Sequence, residues 1–273
     1  MIRSIIKNRA TVLFVILGGF FITNALIAEF IGVKIFSLED SLGVPRANLP
    51  IFGSEFSFHL TAGVLLWPIV FIMTDIINEY YGPKGVRFLS FLAVGLIIYA
   101  FLMVFAAINL SPSEYFRLGE AVTDSNAAFK GVFGQGLWII VGSVVAFLVG
   151  QILDVLVFHR IKKATGENKV WLRATGSTLI SQLIDSFIVL FIAFYLGPRI
   201  EGDVSKQWTL QQISVTGTGN YIYKFIVAIL LTPLIYLAHA WIDKYLGDET
   251  ALKMKKAAMS RGEEEQTNIP TAG

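Results

Sequence analysis

The amino-acid sequence predicts an all-α integral membrane protein with six transmembrane helices. Its 273 residues are 55% hydrophobic and only 15% charged, and the mean hydropathy is +0.65. Soluble domains carry roughly 25% charged residues, so this chain cannot cover a globular surface with polar groups. The apolar residues form continuous runs without the strand-like alternation of apolar and polar positions that a transmembrane barrel requires.

The composition also excludes several classes of protein. A formal net charge of +2 is too small for a nucleic-acid-binding surface, so no nucleic-acid partner is expected. The chain has no Cys, which excludes a disulfide framework, a thiolate metal site and a catalytic thiol. We therefore expect neither a metal ion nor a cofactor.

Six apolar stretches reach the length that a bilayer requires. A hydrocarbon core of about 30 Å needs about 20 residues of helix. The first stretch follows Arg3, Lys7 and Arg9, but it is longer than the roughly 7–15 apolar residues of a signal peptide. The predicted helices, in chain order, are Thr11–Val33, Phe56–Ile77, Phe88–Leu110, Gly131–Phe158, Ala174–Pro198 and Gly219–Ile242.

The distribution of Lys and Arg predicts that both termini are cytoplasmic. With the N-terminus inside, fifteen of the 22 basic residues lie in cytoplasmic segments and six in external loops, while Lys224 lies within the sixth helix. This asymmetry follows the positive-inside rule. We expect a transmembrane transporter domain over residues 1–247 and a cytoplasmic tail over 248–273, which is basic and amphipathic as far as Arg261 and disordered beyond it.

Two Gly-Pro segments leave open an inverted repeat of three helices each. Tyr80–Lys84 follows the second predicted helix and Tyr195–Arg199 follows the fifth, so the two segments leave the membrane on opposite sides. Gly-Pro is also a common way for a helix to end, and Asp75 and Asp185 do not align in this register. The repeat is a hypothesis that superposition of the two halves would test.

Ionisable residues inside the apolar stretches predict a polar pathway between the helices. Each costs at least about 2.5–3.5 kcal/mol to insert, so those retained usually face an interior or a cavity. The third predicted helix carries no charge, and we expect it to face lipid. From the orientation, we expect the polar groups to form an outer, a middle and an inner tier. The candidate solute-contacting residues are Asn24, Glu29, Asp75, Asn78, Glu79, Gln151, Asp154, Thr178, Gln182, Asp185 and Lys224.

Two of these charges have an ordinary structural explanation beside the functional one. Lys224 paired with either Glu29 or Asp185 would simply satisfy its own burial. Glu79 lies at a helix end, where the membrane interface makes charge inexpensive, and we expect it to be solvated.

Other features are expected to be structural. Pro68 and Pro233 lie within predicted spans and predict kinks. Small residues spaced four apart along Gly142–Gly150 predict close helix packing. His59 and His239 lie near the ends of their spans and lack a partner at metal-ligand spacing, so we interpret both as interfacial residues.

No motif of a membrane-embedded enzyme or a pump occurs in the sequence. The Gly-x-Gly-Asp signature of intramembrane aspartyl proteases and the His-Glu-x-x-His zinc motif are absent. A Walker loop is also absent, so the chain does not itself hydrolyse ATP. A repeated filter motif, as expected for an ion channel, is not seen. Transport of a polar solute remains.

Several segments resemble those of the queuosine precursor transporters, a family earlier grouped as vitamin uptake transporters. They cover residues from the first to the sixth predicted helix, whereas the loops 34–55 and 111–130 and the tail carry none of the resemblance. The segments are Thr74–Gly82, Gly150–Asp154 with Val157-Phe158, Ser177-Thr178 with Asp185-Ser186, and Tyr223-Lys224 with Thr232-Pro233.

The resemblance implies a multi-pass importer in the bacterial inner membrane. Its implied solutes are the 7-deazaguanines, 7-cyano-7-deazaguanine and 7-aminomethyl-7-deazaguanine, which are salvaged for tRNA modification. Such a ring presents N1–H and its 2-amino group side by side, and one carboxylate can accept both. Asp185, with Gln182 and Thr178 on its face, is the first candidate for that role, followed by Asp75 or Asp154. Donors for the C6 carbonyl are available from Asn24, Asn78, Gln151 and Lys224.

Two alternatives stay open. The first is a substrate-binding subunit of an energy-coupling-factor importer for a vitamin or purine, although Ala25 and Ala28 are three apart, not four as in its usual Ala-x-x-x-Ala docking motif. The second is a membrane-embedded enzyme, whose turnover would be lost on Asp75→Asn or Asp185→Asn. Beyond the small solute and the lipid bilayer, the sequence leaves open a homo-oligomer.

Overall fold

The apolar stretches form long helices in the computed structural model, which describes residues 8–32, 34–46, 49–51, 54–134, 137–165, 170–202 and 204–267. The α-helices are α1 (Arg9–Ile31), α2 (Leu38–Leu42), α3 (Trp67–Ile108), α4 (Ser125–Phe133), α5 (Leu137–Thr165), α6 (Val170–Leu190), α7 (Gly197–Glu201), α8 (Leu210–Leu246) and α9 (Asp248–Thr267).

Segments that are long and apolar enough to cross a bilayer number five within the described ranges. They are Arg9–Ile31, Ala62–Ile108, Ser125–Thr165, Leu179–Ile200 and Leu210–Leu246. The chain is therefore a helical, multi-pass integral membrane protein.

The 42 residues of α3 are two antiparallel arms joined at Gly82, whose φ of 73° and ψ of −178° interrupt the helix. The hydroxyls of Thr74 and Ser90 lie 3.1 Å and 3.5 Å from the same Oε1 atom of Gln151. A straight helix would separate residues sixteen apart by about 24 Å. The chain therefore reverses at Gly82, and the second and third predicted helices are the two arms of this hairpin.

The hairpin begins later than the sequence analysis expects. Residues that were assigned to the start of the second helix instead form short strands and a 3₁₀ turn, Ala62–Leu65. Pro68 thus lies in the first turn of α3. The N–H groups of a first turn have no acceptor within the helix, so a proline there removes no helical hydrogen bond. The expected kink at Pro68 is therefore wrong, whereas Pro233 does lie inside α8.

Four short strands lie between α1 and α3 and form two antiparallel pairs. They are β1 (Ile35–Ser37), β2 (Leu49–Ile51), β3 (Ser54–Phe56) and β4 (His59–Thr61). In the first pair Ile35 lies opposite Thr61, and in the second Leu49 lies opposite Phe56. The β1–β4 pair connects the end of α1 to the start of the hairpin.

Helices α5 and α6 approach each other closely along the small-residue stripe. A Cβ atom at Gly142 would lie 3.0 Å from the carbonyl oxygen of Val189. One at Gly150 would lie 3.3 Å from the ring of Phe71 and 3.7 Å from Cβ of Asp185. The predicted close packing is confirmed, and it brings a helix backbone against the helix that carries Asp185.

The two Gly-Pro segments differ in backbone conformation. Gly82 has a positive φ and reverses the chain, whereas Gly197 has φ of −57° and ψ of −58° and continues a helix. A π-helical turn, Phe191–Leu196, precedes Gly197 and has no counterpart before Gly82. The Gly-Pro register therefore gives no support to an inverted repeat.

The second arm of α3 has one buried and one exposed face. Leu89, Ala93 and Ile97 are buried, whereas Phe91 and Phe105 are 64% and 67% exposed. Large exposed apolar side chains on a membrane protein suit contact with lipid, which agrees with the expectation for the third predicted helix.

The tail helix α9 packs against the turn of the hairpin. Ala251 and Ala258 are buried, and a Cβ atom at Gly82 would lie 3.3 Å from the backbone of Ala258. Lys255 forms an ion pair of 2.8 Å with Asp243 of α8. The amphipathic helix expected at the membrane surface therefore packs on the protein.

The extent of the tail helix also differs from the expectation. Helical backbone continues past Arg261 to Thr267, through the first residues of the segment expected to be disordered. The remaining positions, 268–273, lie outside the described residues.

Candidate functional site

A cavity of about 410 Å³ lies between α1, α5, α6, α8 and the start of α3. Its volume lies within the roughly 300–1,000 Å³ that is usual for small-molecule sites. The apolar wall includes Val64, Trp67, Ile139, Val189, Leu190 and Phe194. The polar side chains in the lining are Glu29, Thr61, Ser143, Asp185, Ser186, Asn220 and Lys224.

An ion pair between α6 and α8 forms part of this lining. Nζ of Lys224 donates to Oδ2 of Asp185 at 2.5 Å, and the two side chains are 5% and 12% exposed. The sequence left Glu29 and Asp185 as alternative partners for this lysine, and the structure selects Asp185. A buried charge needs such a partner, because an uncompensated charge in an apolar interior is strongly unfavourable.

The second carboxylate of the cavity belongs to Glu29, near the end of α1. It is buried, and its Oε1 accepts a hydrogen bond from the hydroxyl of Ser143 on α5. The cavity therefore combines two carboxylates, one ammonium group and several hydroxyl and amide groups with aromatic walls. This set can hold a flat polar molecule by hydrogen bonds at its edge and by apolar contact on its faces.

A buried polar layer lies beyond the cavity, where α3, α5 and α6 meet. Its members are Thr74, Asp75, Asn78, Ser90, Gln151, Asp154, Ser177, Ser181 and Gln182, and we call it the inner polar layer. Ser177 donates to Oδ1 of Asp75 at 3.2 Å, and Ser181 donates to Oδ1 of Asp154 at 3.3 Å. Serines on α6 thus join the carboxylates of the other two helices.

Glu79 is buried, and its expected solvation is wrong. Its Oε2 lies 3.2 Å from Nζ of Lys162, and both side chains are 1% exposed. Lys162 follows the fourth predicted helix and is one of the fifteen basic residues that the sequence assigns to cytoplasmic segments. It continues the face of α5 that carries Asp154 and Phe158 at four-residue spacing, and this periodicity was the signal that could have revealed it.

A histidine that the sequence analysis did not single out lies beside this pair. Nε2 of His159 lies 3.0 Å from Oδ1 of Asn78, and both residues are buried. The interfacial interpretation of His239 is wrong as well. His239 is buried, and its Nδ1 lies 3.1 Å from the hydroxyl of Tyr80, which donates to Asp243 at 2.8 Å. His59, in contrast, is exposed on β4.

The eleven candidate residues therefore separate into distinct places. Three of them, Glu29, Asp185 and Lys224, line the cavity. Asp75, Asn78, Gln151, Asp154 and Gln182 belong to the inner polar layer, and Glu79 pairs with Lys162. Asn24 is buried but donates within its own helix to the carbonyl of Phe20 at 2.8 Å. Thr178 lies on α6, and its side chain is outside the described part of the structure.

The cavity also has members that the sequence analysis missed. Ser143, Ser186 and Asn220 are short neutral side chains in otherwise apolar helices, and Trp67 and Phe194 are two among many aromatic residues. Ser186 belongs to a segment that carries the family resemblance, but nothing in the sequence pattern of the other four separates them from ordinary packing positions. Across the residues that the structure describes, no group of three or more His, Asp or Glu side chains is placed to hold a metal ion.

The comparisons with known proteins agree with one another. Residues 61–238 match the model of a family described as "Putative vitamin uptake transporter". The chain is 32% identical over 200 residues to the "Probable queuosine precursor transporter" of Bacillus subtilis, covering 72% of this chain and 80% of that protein. It is 26% identical over 212 residues to the "Queuosine precursor transporter" of Escherichia coli, covering 77% of this chain and 86% of that protein.

A third relative is the "Probable queuosine precursor transporter" of Haemophilus influenzae, 28% identical over 180 residues, which cover 65% of this chain and 67% of that protein. No solved structure shows a significant match to the chain. The family match spans the α3 hairpin, helices α5 and α6, and most of helix α8, which carries Lys224. The chain belongs to the vitamin uptake transporter family, which includes the queuosine precursor transporters.

Proposed function

We propose that this protein imports queuosine precursors, the 7-deazaguanines, across the bacterial inner membrane for salvage into tRNA modification. The relatives in three bacteria are named as queuosine precursor transporters or probable queuosine precursor transporters. The observation that carries the proposal is the cavity, in which the buried Lys224–Asp185 pair and Glu29 face aromatic walls. A flat heterocycle with polar edges is complementary to this combination.

We propose further that the chain crosses the membrane six times, with both termini in the cytoplasm. The reversal at Gly82 supports two crossings by the Ala62–Ile108 segment, which at 47 residues would be about 70 Å long as one straight helix. The excess of Lys and Arg in the segments assigned to the inside supports the orientation. In this orientation the cavity lies toward the outer face, because Gly32, Ile35 and Thr61 line it.

The contacts to the solute follow from the lining. We assign the hydrogen bonds to the N1–H and 2-amino edge to a cavity carboxylate, Asp185 or Glu29, because one carboxylate accepts two parallel N–H groups. Lys224 holds Asp185 in place and supplies a donor for a carbonyl oxygen. Trp67 and Phe194 supply apolar surface for the ring. As a carrier the protein performs no chemical reaction on the solute.

The test is uptake by cells that neither make 7-deazaguanines nor contain another carrier for them. The readout is queuosine in their tRNA when nanomolar precursor is supplied, with and without this protein. Restored modification is the expected result, and Asp185→Asn combined with Lys224→Met, which leaves neither charge buried alone, should abolish it while the protein stays in the membrane. Absence of modification with the wild-type protein present in the membrane would contradict the proposed solute.

A further inference from the structure

The side chain of Gln182 is buried without a hydrogen-bond partner among the described residues. The residue is 1% exposed, and within the described residues neither its Oε1 nor its Nε2 has a hydrogen-bond partner. A buried polar group without a partner is destabilising, and here both halves of one carboxamide are in that state. Such a group is retained where something outside the chain completes its hydrogen bonds.

Two further carboxamides of the inner polar layer are also only half hydrogen-bonded within the described residues. Oδ1 of Asn78 is engaged by His159, and Oε1 of Gln151 is engaged by Thr74. Their Nδ2 and Nε2 atoms have no partner in the part of the chain that the structure describes. Among the described residues, the inner polar layer thus holds unpartnered carboxamide atoms at Asn78 and Gln151 as well as at both ends of the Gln182 carboxamide.

Gln182 lies directly next to the cavity along α6. It precedes Asp185 by three residues and therefore shares its face of the helix. Ser186, which lines the cavity, donates through its hydroxyl to the carbonyl oxygen of Gln182 at 2.8 Å. In the proposed orientation, Gln182 lies about one helical turn from Asp185 on the cytoplasmic side.

We propose that the inner polar layer is a second solute site, in which the carboxamide of Gln182 forms hydrogen bonds with a ring N–H and with the adjacent ring C=O of the solute. A carboxamide matches that edge, because its oxygen accepts from the N–H and its nitrogen donates to the carbonyl, as Asn and Gln do with base edges in nucleic acids. The inference rests on the proposed function and deepens it. The solute is held first in the cavity and then at the inner polar layer.

The decisive variant is Gln182→Met, which keeps the length of the side chain and removes both polar atoms. If Gln182 serves the solute, the empty variant unfolds at the same temperature as the wild type or a few degrees higher, because two unpartnered groups have been removed. Uptake nevertheless falls about 10-fold or more, as expected for the loss of a bidentate contact. Leu183→Met, one residue along and 40% exposed, is the matched control and should change neither quantity.

A second measurement uses two competitors of uptake, 7-deazaguanine and the analogue that lacks the C6 carbonyl. The wild-type protein should prefer the compound with the carbonyl, and Gln182→Met should reduce that preference about 10-fold. Normal uptake by the variant, an unchanged preference, or a loss of uptake that follows a loss of thermal stability would each overturn the second site. Failure of the wild-type protein to take up the queuosine precursor itself would instead overturn the proposed function.

Discussion

At the scale of single residues, the Lys224–Asp185 pair connects the sequence most directly with function. A lysine in the middle of an apolar helix is retained only with a partner, and the structure supplies a carboxylate at 2.5 Å. The pair satisfies the two buried charges, and in the proposed function its carboxylate also accepts hydrogen bonds from the solute.

The first prediction follows from this double role. Lys224→Met should destabilise the protein by about 3–5 kcal/mol, because Asp185 is left buried without its counter-ion. Adding Asp185→Asn should recover most of the thermal stability in detergent but not uptake. If Glu29→Gln rescued stability in place of Asp185→Asn, the pairing seen here would be contradicted.

The second prediction concerns two consecutive lysines on α5. Lys162 is 1% exposed and pairs with Glu79, whereas Lys163 is exposed. Lys162→Met should therefore cost about 3–5 kcal/mol of stability, whereas Lys163→Met should change it by less than about 0.5 kcal/mol. Thermal unfolding of both variants measures the difference, and equal effects would show that the buried pair is not what holds Lys162.

The residue scale also shows where sequence reasoning succeeds. Charges within apolar runs are conspicuous, so Glu29, Asp185 and Lys224 could be predicted as members of one polar interior. Polar partners at helix ends could not be predicted in this way. A charge at a helix end costs little free energy when it faces water, and the sequence does not distinguish that case from a buried charge. Glu79, Lys162 and His239 were misjudged for this reason.

At the scale of elements, the turn at Gly82 determines the architecture of α3. Its φ of +73° is unfavourable for any residue with a side chain, and the backbone of Ala258 lies against it. The same glycine therefore serves the reversal of the chain and the docking of α9.

The third prediction compares two glycines of this helix. Gly82→Ala should lower stability by at least about 1–2 kcal/mol, through its left-handed conformation and through crowding of Ala258. Gly95→Ala should be neutral or stabilising by about 0.5–1 kcal/mol, because nothing lies within 4 Å of its Cβ position. The measurement is the thermal midpoint of each variant. A smaller effect at Gly82 than at Gly95 would argue against the observed turn.

Element boundaries were predictable only in part. Apolar length located every long helix, yet the start of α3 was placed eleven residues early, at Phe56 in place of Trp67. The segment before Trp67 is apolar enough to extend a helix, but its residues His59–Thr61 pair with the distant β1 strand and Ala62–Leu65 form a 3₁₀ turn. Such a tertiary preference overrides local composition and leaves no local signal.

At the scale of the whole molecule, the proposal makes two statements, the number of crossings and the orientation of the termini. The absence of Cys makes them directly measurable, because any introduced cysteine is the only thiol in the chain. The exposed positions Ser41, Lys84 and Ser113 lie in three successive connections of the proposed topology.

The fourth prediction uses these positions. In intact cells, an impermeant maleimide should label Ser41→Cys and Ser113→Cys but should reach Lys84→Cys only after the membrane is opened. This pattern follows if the two arms of α3 cross the bilayer separately. Ser260→Cys, on the tail helix, is the cytoplasmic control. Labelling of Lys84→Cys in intact cells would contradict the six-crossing topology.

The seam between α5 and α6 has a mechanical consequence. Where a carbonyl of one helix lies against the α-carbon of a glycine on the other, as at Gly142 and Val189, rotation of one helix about its own axis would drive side chains into backbone. The two helices are therefore expected to move as one rigid body. Any alternation between outward and inward access would then occur by sliding or tilting of α1, the α3 hairpin and α8 against this body. Asp185 would move with the α5–α6 body, whereas Glu29 and Lys224 would move with the other helices.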